Sequence, residues 1–559
     1  MSCGHQYDFD FIVVGSGFGG SVSAYRLAEK GYKVAVIEMG RRWTPENLPR
    51  TNWSLRRWFW RPNLALHGFF NMRFFKHVTI LHGCAVGGGS ITYASTLLRP
   101  PDKVWEMGSW VGLSDWCAEM PHHYETASRM LGVVKNNILG PADNLLKKAA
   151  TAFGVGDTFY HTNVGIFQAP EGEKGGKTFP DPFFGGEGPE RTTCSACGGC
   201  MVGCRFGAKN TLDRNYLYLA EKLGARVFPE TKVVDVKPLT DADGSADGSQ
   251  GYEVHTVDSL AWFRKRPHRL TSRSVVFAAS SLGTTELLFR LKEKHSLSAI
   301  SDQLGKHIRT NSESLIGVRI PGCADDLSKG VAIGSGIYID EHTHIEAVRY
   351  PGGSDAMSPL CTLLTGGRPG SGRIGLWLKN LVVSILCHPI RTVRVFQPFG
   401  WAREVIILLC MQALDGHIDM CWERPWFWPF RKFLVSRGQK VPTYIPSAND
   451  FAEKLARMAG GTAMSMLPEI LFNVPSTAHC LGGCVIAGSP AEGVIDNRHR
   501  VFGYQNMYVC DGSVVAANLG VNPSLTITAL TERAMGFIPP ISDAPWNREA
   551  EQIGSAVRG

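Results

Sequence analysis

The chain has 559 residues, 44% hydrophobic and 19% charged, which supports a large core and excludes a disordered or collagen-like protein. Its 58 basic and 50 acidic residues leave a net charge of +8, too dilute over this length to argue for a nucleic-acid partner. The 15 cysteines, an odd number in a long chain, argue against a disulfide framework and predict reduced thiols, some of them candidate ligands.

The length predicts two to four folding units. Residues 1–8 carry neither a basic segment nor an apolar one, so no secretory leader is expected. The expected location is cytoplasmic, at most peripheral at the inner membrane face. Residues 9–14 (Phe-Asp-Phe-Ile-Val-Val) form an apolar run typical of a buried parallel strand. Gly15-Ser16-Gly17-Phe18-Gly19-Gly20 follows, then a helical stretch from Ser21 to Lys30 and a second strand from Tyr32 to Glu38. In such a βαβ unit Gly15 permits the tight turn, Gly17 lets a pyrophosphate approach the backbone, and Gly20 lets helix and strand pack closely. The helix N-terminus offers free N–H groups to the phosphates, and Glu38, 18 residues after Gly20, is placed for a ribose hydroxyl. These features predict a dinucleotide without deciding between FAD and NAD.

A strand at 77–81 leads into a second glycine cluster, Gly83 to Ser90, either a further approach to the cofactor or an ordinary loop. The strand 274–279 runs into a turn and a helix reaching about Glu293, and residues 241–250 form a polar loop between strands. The longest clean apolar run, 405–411, and the interrupted stretch 376–390 both fall short of the roughly 20 residues a spanning helix needs. The C-terminal part carries His479-Cys480-Leu481-Gly482-Gly483-Cys484, then Tyr508-Val509-Cys510-Asp511-Gly512-Ser513, then Asn518 to Leu530 with Asn522-Pro523 inside it.

Those three segments, with the βαβ unit and the Gly87-Gly88-Gly89-Ser90 loop in the same order, resemble the glucose–methanol–choline (GMC) oxidoreductases, and within them the cholesterol oxidase-like flavoproteins. The resemblance spans Asp10 to about Met535. It implies FAD held by Gly15, Gly17, Gly20 and Glu38. Gly88, Gly89 and Ser90 would lie near the flavin, Asp511 and Gly512 at the ribityl and pyrophosphate region, and Asn522 and Pro523 facing the isoalloxazine. Alone, His479 would pass for a core histidine and Asn522 for a turn former. The resemblance implies that His479 takes a hydroxyl proton, a task that suits a group titrating near neutrality. It implies that Asn522 orients the substrate oxygen. Glu346 would support a Δ5 to Δ4 isomerisation, although its local match is short and a surface strand glutamate is the competing reading.

Cys194, Cys197, Cys200 and Cys204 have the C-x2-C-x2-C-x3-C spacing of bacterial iron–sulfur loops. Arg205 stands where proline is usual, and no second run exists. The spacing is compatible with a [3Fe–4S] or [4Fe–4S] cluster, with zinc, or with packed metal-free thiols. A cluster would carry electrons away, favouring a dehydrogenase with an electron-acceptor protein. Arg205 and Lys209 would partly offset the thiolate charge. Two basic-aromatic stretches, 53–75 and 424–433, suit a peripheral membrane contact or equally a set of buried aromatics with basic rims.

The expected architecture is α/β: an FAD-binding Rossmann-type domain from 1–115, 205–320 and 475–540, and an α+β substrate domain with an antiparallel sheet from 116–204 and 321–474. The Cys-rich insert 194–204 belongs to the second, and 541–559 is a tail. The expected function is FAD-dependent oxidation of the 3β-hydroxyl of a sterol or steroid. The alternatives are a GMC dehydrogenase of another bulky or long-chain alcohol and a steroid isomerase retaining a non-redox flavin.

Overall fold

The computed structural model describes residues 7–544 except 171, 242, 263–264, 369–371, 426–427 and 439–440. The apolar run at the N-terminus forms the strand Phe9–Val14, flanked in parallel by Val34–Ile37 on one side and by residues 272–277 of the strand Pro267–Phe277 on the other. Arg226–Phe228 and Met507–Val509 extend this parallel set. The strand Pro267–Phe277 has two lives: its first half pairs antiparallel with Tyr252–Asp258, which continues to Thr231–Pro238. Together these strands make one seven-stranded sheet.

Near-continuous Val, Ile, Ala and Phe along the parallel strands bury both faces, as a sheet covered by helices requires. Ala24, Leu27 and Ala28 of the helix Phe18–Glu29 share a core with Phe11, Val13, Val34 and Val36. Leu288 and Leu291 of the helix Ser280–Glu293 share another with Phe9, Ile12 and Val275. The helix Trp116–Met130 packs against Ser524–Gly536, with Tyr124 bonded to Thr526 at 3.0 Å and Arg533 to Glu119 at 2.6 Å. This segment, assigned from sequence to the substrate domain, therefore lies with the nucleotide-side core.

A second seven-stranded sheet is wholly antiparallel, in the order Cys361–Leu363, Thr462–Met466, Ser314–Arg319, Val405–Gln412, Thr343–Val348, Ile333–Tyr338 and Tyr160–His161. The helices Pro141–Phe153 and Pro446–Met458 cover one face, where Leu146, Ala150, Phe451 and Leu455 meet Val318, Ile345 and Leu408. Alternation then turns Leu315, Ile407 and Leu409 to the other face, which roofs a cavity over the first sheet.

The stretch at 376–390 is two helices, Ile374–Cys387 and Pro389–Phe396, because Pro389 cannot continue the first and opens the second. Among the described residues no helix is long and apolar enough to cross a membrane. In the 53–75 stretch Trp58, Trp60, Phe69 and Phe70 are buried, and Trp58 stacks on Phe70 at 4.5 Å, so the middle of that stretch is core; Trp53 and Phe74 reach solvent. In the 424–433 stretch Trp428 and Phe430 are exposed, and Trp426 and Phe427 lie outside the described residues.

Candidate active site

The glycine turn after Phe9–Val14 is closed by backbone, not by side chains. Gly15 has φ +104°, and a Cβ there would stand 2.3 Å from the Ala278 carbonyl oxygen; one on Gly20 would stand 2.0 Å from the Gly15 oxygen. Gly17 differs: nothing lies within 4 Å of its Cβ position, and it lines the cavity. It is also the N-cap of Phe18–Glu29, with no side chain capping the helix, so the first-turn N–H groups are left for an anion.

Glu38 is fully enclosed at the end of the second strand. Its Oε2 accepts from Ser16 N (3.1 Å) and Ser16 Oγ (2.8 Å), and its Oε1 from Gly40 N (2.7 Å). Burial raises this carboxyl above its ordinary range, and the Gly40 and Ser16 hydrogen bonds oppose that rise. Ser16, not singled out from the sequence, also accepts from Gly87 N at 3.1 Å and so ties the two glycine loops together. The loops touch directly, since a Cβ on Gly88 would lie 2.4 Å from Gly17 Cα. Gly89 lines the cavity, whereas Ser90 turns inward, bonding Gly87 O and accepting from Leu212 N.

Asp511 and Gly512 follow the strand Met507–Val509 and line the same cavity. Asp511 accepts from Ser513 N at 2.8 Å and from Thr284 Oγ1 at 2.5 Å. Pro523 then opens the uncapped helix Ser524–Gly536, with Asn522 just before it.

The same cavity is lined by His479, Glu313 and Asn522, with Glu346 buried and hydrogen-bonded to Asn522. His479 Nδ1 is hydrogen-bonded to Glu313 Oε1, and Ala478 N donates to Glu313 Oε2 at 2.9 Å. Burial pulls the imidazole down, but the charge and hydrogen bond of Glu313, helped by Glu346, leave it net above its ordinary 6.5. Asn522 Nδ2 donates to Glu346 Oε2 at 3.1 Å, while Asn522 Oδ1 and Glu346 Oε1 are buried without partners. Burial raises the Glu346 carboxyl to about 7, against the Asn522 hydrogen bond and the His479 charge. Glu346 is thus no surface residue; it sits in the strand Thr343–Val348 opposite Leu409 and Gly336.

Glu313 escaped sequence reading because its neighbours, Thr310-Asn311-Ser312, spell no catalytic pattern. That segment is a clamp. Asn311 accepts from Leu519 N (3.0 Å) and Gly520 N (3.1 Å) and donates to Val521 O (2.7 Å), holding the loop that ends in Asn522. Asn311 and Ser312 both adopt left-handed φ, +55° and +47°, which turns Glu313 back toward His479.

The cavity has a volume of about 310 Å³, at the lower end of the roughly 300–1,000 Å³ of a ligand pocket. Its far wall is apolar, with Leu315, Ile407, Leu409, Met464, Met466 and Trp401.

The chain can now be placed among known proteins. Residues 446–531 match the GMC oxidoreductase family and residues 13–45 an NAD(P)-binding Rossmann-like domain. The chain is 60% identical to a cholesterol oxidase of Acinetobacter baumannii, over 96% of its own length and 95% of that protein's. It is 44% identical to a cholesterol oxidase of Mycobacterium tuberculosis, over 95% and 91%. The chain belongs to the GMC oxidoreductases, in their cholesterol oxidase-like branch. A solved pyridoxine 4-oxidase from Mesorbium loti shares the fold, with TM-score 0.60 at 14% identity over 94% of this chain and 99% of that one.

The GMC cofactor, FAD, fits what these residues offer: an open Gly17 lining the cavity, an uncapped helix, and a buried carboxylate at the end of the second strand. The expected metal centre does not fit. Among the described residues no three His, Cys, Asp or Glu side chains group to hold a metal ion. The loop is instead held by protein. Cys204 Sγ accepts from Lys209 N at 3.4 Å, and burial, with the charge of neighbouring thiols, raises Cys194 and Cys197 above the ordinary thiol range. Lys209 donates its buried ammonium to the carbonyls of Ile91, Tyr93 and Cys200 at 2.9, 3.2 and 2.7 Å, and the Cys200 and Cys204 thiols lie near enough to favour its charge. The described thiols therefore give the cluster reading no support, and Lys209 ties their loop to the residues that follow the second glycine cluster.

Proposed function

We propose that this GMC oxidoreductase oxidises the 3β-hydroxyl of a sterol or related steroid to the ketone. The observation that carries the reading is the backed imidazole beside an apolar wall: His479 against Glu313, facing the cavity that Asn522 lines. FAD, when bound, supplies the acceptor for the hydride that leaves the carbinol carbon. The chain's own residues do the rest. With Nδ1 turned to Glu313, the imidazole keeps Nε2 as the acceptor for the hydroxyl proton, and the carboxylate stabilises the imidazolium that forms. Asn522 gives one amide hydrogen to Glu346 and keeps the other for the substrate oxygen. The apolar wall takes the ring system and keeps water from the reacting carbon.

Glu346 extends the reading to isomerisation. With its carboxyl near 7 and Oε1 free, it can take a proton from the carbon beside the new ketone and return it to the far end of the double bond. Sterol supply from a bilayer would make membrane contact part of the function, and the reduced enzyme then needs an acceptor, either oxygen or a partner protein.

The test is anaerobic. Cholesterol added to the oxidised holoprotein bleaches the flavin bands if the reading holds. Bands that stay oxidised with cholesterol and bleach with a long-chain alcohol would transfer the activity to that substrate class.

A further inference from the structure

One surface breaks the rule that water-facing helices are polar. The helix Ile374–Cys387 has no buried residue, and Ile374, Leu378, Val382, Ile385 and Leu386 all face outward, Leu386 at 75% exposure. Its continuation, Pro389–Phe396, is two-faced: Thr392 and Val395 are buried, while Ile390 and Val393 are 72% and 70% exposed. Phe399 follows at 73% exposure, its ring 6.4 Å from that of Trp53.

The patch lies just outside the substrate cavity. Leu381 packs on Leu363, Val395 and Met464, and Trp377 Nε1 donates to Thr362 Oγ1 at 2.8 Å. Cys361 and Met464, on the same two strands, line the cavity from within. Only the edge of the antiparallel sheet separates the two.

Charge identifies the occupant. Residues 356–403 contain no aspartate or glutamate, and Lys379, Arg391 and Arg394 are exposed around the apolar centre. An apolar centre with a purely basic rim matches acyl chains beneath anionic headgroups. The 14-residue helix spans roughly 21 Å at 1.5 Å per residue, short of the roughly 30 Å hydrocarbon core, so it suits lying in the interface and not crossing it.

We infer that the helical pair 374–396 seats the enzyme on an anionic lipid bilayer, with its apolar residues in the headgroup boundary beside the wall of the substrate cavity. The inference deepens the sterol reading by naming where the bilayer is met. Flotation is read without substrate and bleaching separately, so the two fail separately.

Full-length holoprotein is floated with vesicles of phosphatidylcholine alone or mixed with phosphatidylglycerol. The wild type rises with the mixed vesicles, less so as salt screens the basic rim. Leu386→Asp/Ile390→Asp lowers that partition by more than about tenfold, with an unchanged melting temperature and unchanged flavin bleaching by sterol in detergent micelles. Lys379→Glu/Arg394→Glu weakens binding to the mixed vesicles only. Wild type left in the aqueous phase, or the double aspartate variant floating as well as wild type, overturns the inference. A dimer in sedimentation that Leu386→Asp dissolves would overturn it too, giving the surface to a second copy. Floating without bleaching would sink the sterol reading and leave this one standing.

Discussion

Glu313 backs His479 with both carboxylate oxygens, one on the imidazole Nδ1 and one on the Ala478 backbone N–H, so the ring's position and its proton affinity depend on the same group. Its effect on the imidazole is net upward from 6.5, against the pull of burial. If neutral His479 accepts the hydroxyl proton, flavin reduction rises with pH through that raised value. Glu313→Gln moves the inflection to lower pH and slows the limiting rate by about 10–100-fold. Glu313→Asp keeps part of the inflection. Anaerobic stopped-flow reduction across pH reads both. His479→Gln retains FAD and loses reduction; an inflection that stays put in Glu313→Gln would remove the positioning role.

Glu346 makes a stability prediction with a sign. Its carboxyl goes from 4.5 when unfolded to about 7 when buried, so the folded state holds this proton more tightly. That contribution is fully present below about 4.5 and is lost as pH rises through 7. At higher pH the buried carboxylate costs up to about 3 kcal/mol, taking roughly 1.4 kcal/mol per unit. Glu346→Gln therefore melts close to wild type at pH 4 and above it at pH 8. The same variant still bleaches flavin with sterol but releases the unconjugated ketone, which the ultraviolet spectrum of the product distinguishes from the enone.

What was legible in the sequence was local or carried by ordered motifs. The βαβ unit shows itself because glycine spacing and strand composition answer to the same few ångströms of backbone contact. His479 and Asn522 came from the resemblance of their flanking segments. Glu313 was not legible, because its role exists only once two left-handed residues turn it across the cavity from a strand far away in sequence. The cysteine run shows the opposite limit: spacing within a loop says which sulfurs are near in sequence, while convergence on a metal depends on how that loop folds. The basic-aromatic stretch at 53–75 shows the same limit, since composition alone cannot separate Trp58, in the core, from Trp53, on the surface.

The glycine turn separates folding from cofactor binding. Gly20→Ala would drive a Cβ to 2.0 Å from the Gly15 oxygen, a backbone atom that cannot give way cheaply. It lowers the melting temperature of the apoprotein. Gly17, at φ −70°, has an ordinary backbone and open space at its Cβ, so Gly17→Ala leaves the apoprotein's melting temperature unchanged. Its methyl would stand where the pyrophosphate approaches, so FAD content falls. Flavin absorbance per protein, measured beside apoprotein melting, separates the two; full FAD content in Gly17→Ala would move the phosphates away from this turn.

Lys209 decides the last prediction. Its fully buried ammonium satisfies three carbonyl oxygens, two of them on the segment that follows the second glycine cluster, and burial has already brought its pKa down to about 8. Lys209→Met leaves those oxygens unpaired and costs about 3 kcal/mol or more, since each hydrogen bond from a charged donor contributes roughly 1.5–3 kcal/mol. Urea denaturation shows the loss, and FAD leaves more readily because Ile91 and Tyr93 are no longer tied to Cys200. Cys204→Ser, which disturbs a single 3.4 Å hydrogen bond from the Lys209 backbone, costs less than about 1 kcal/mol and keeps FAD and turnover. Stoichiometric iron in the native protein, lost in Cys204→Ser along with activity, would mean that the thiols and not the lysine organise this loop.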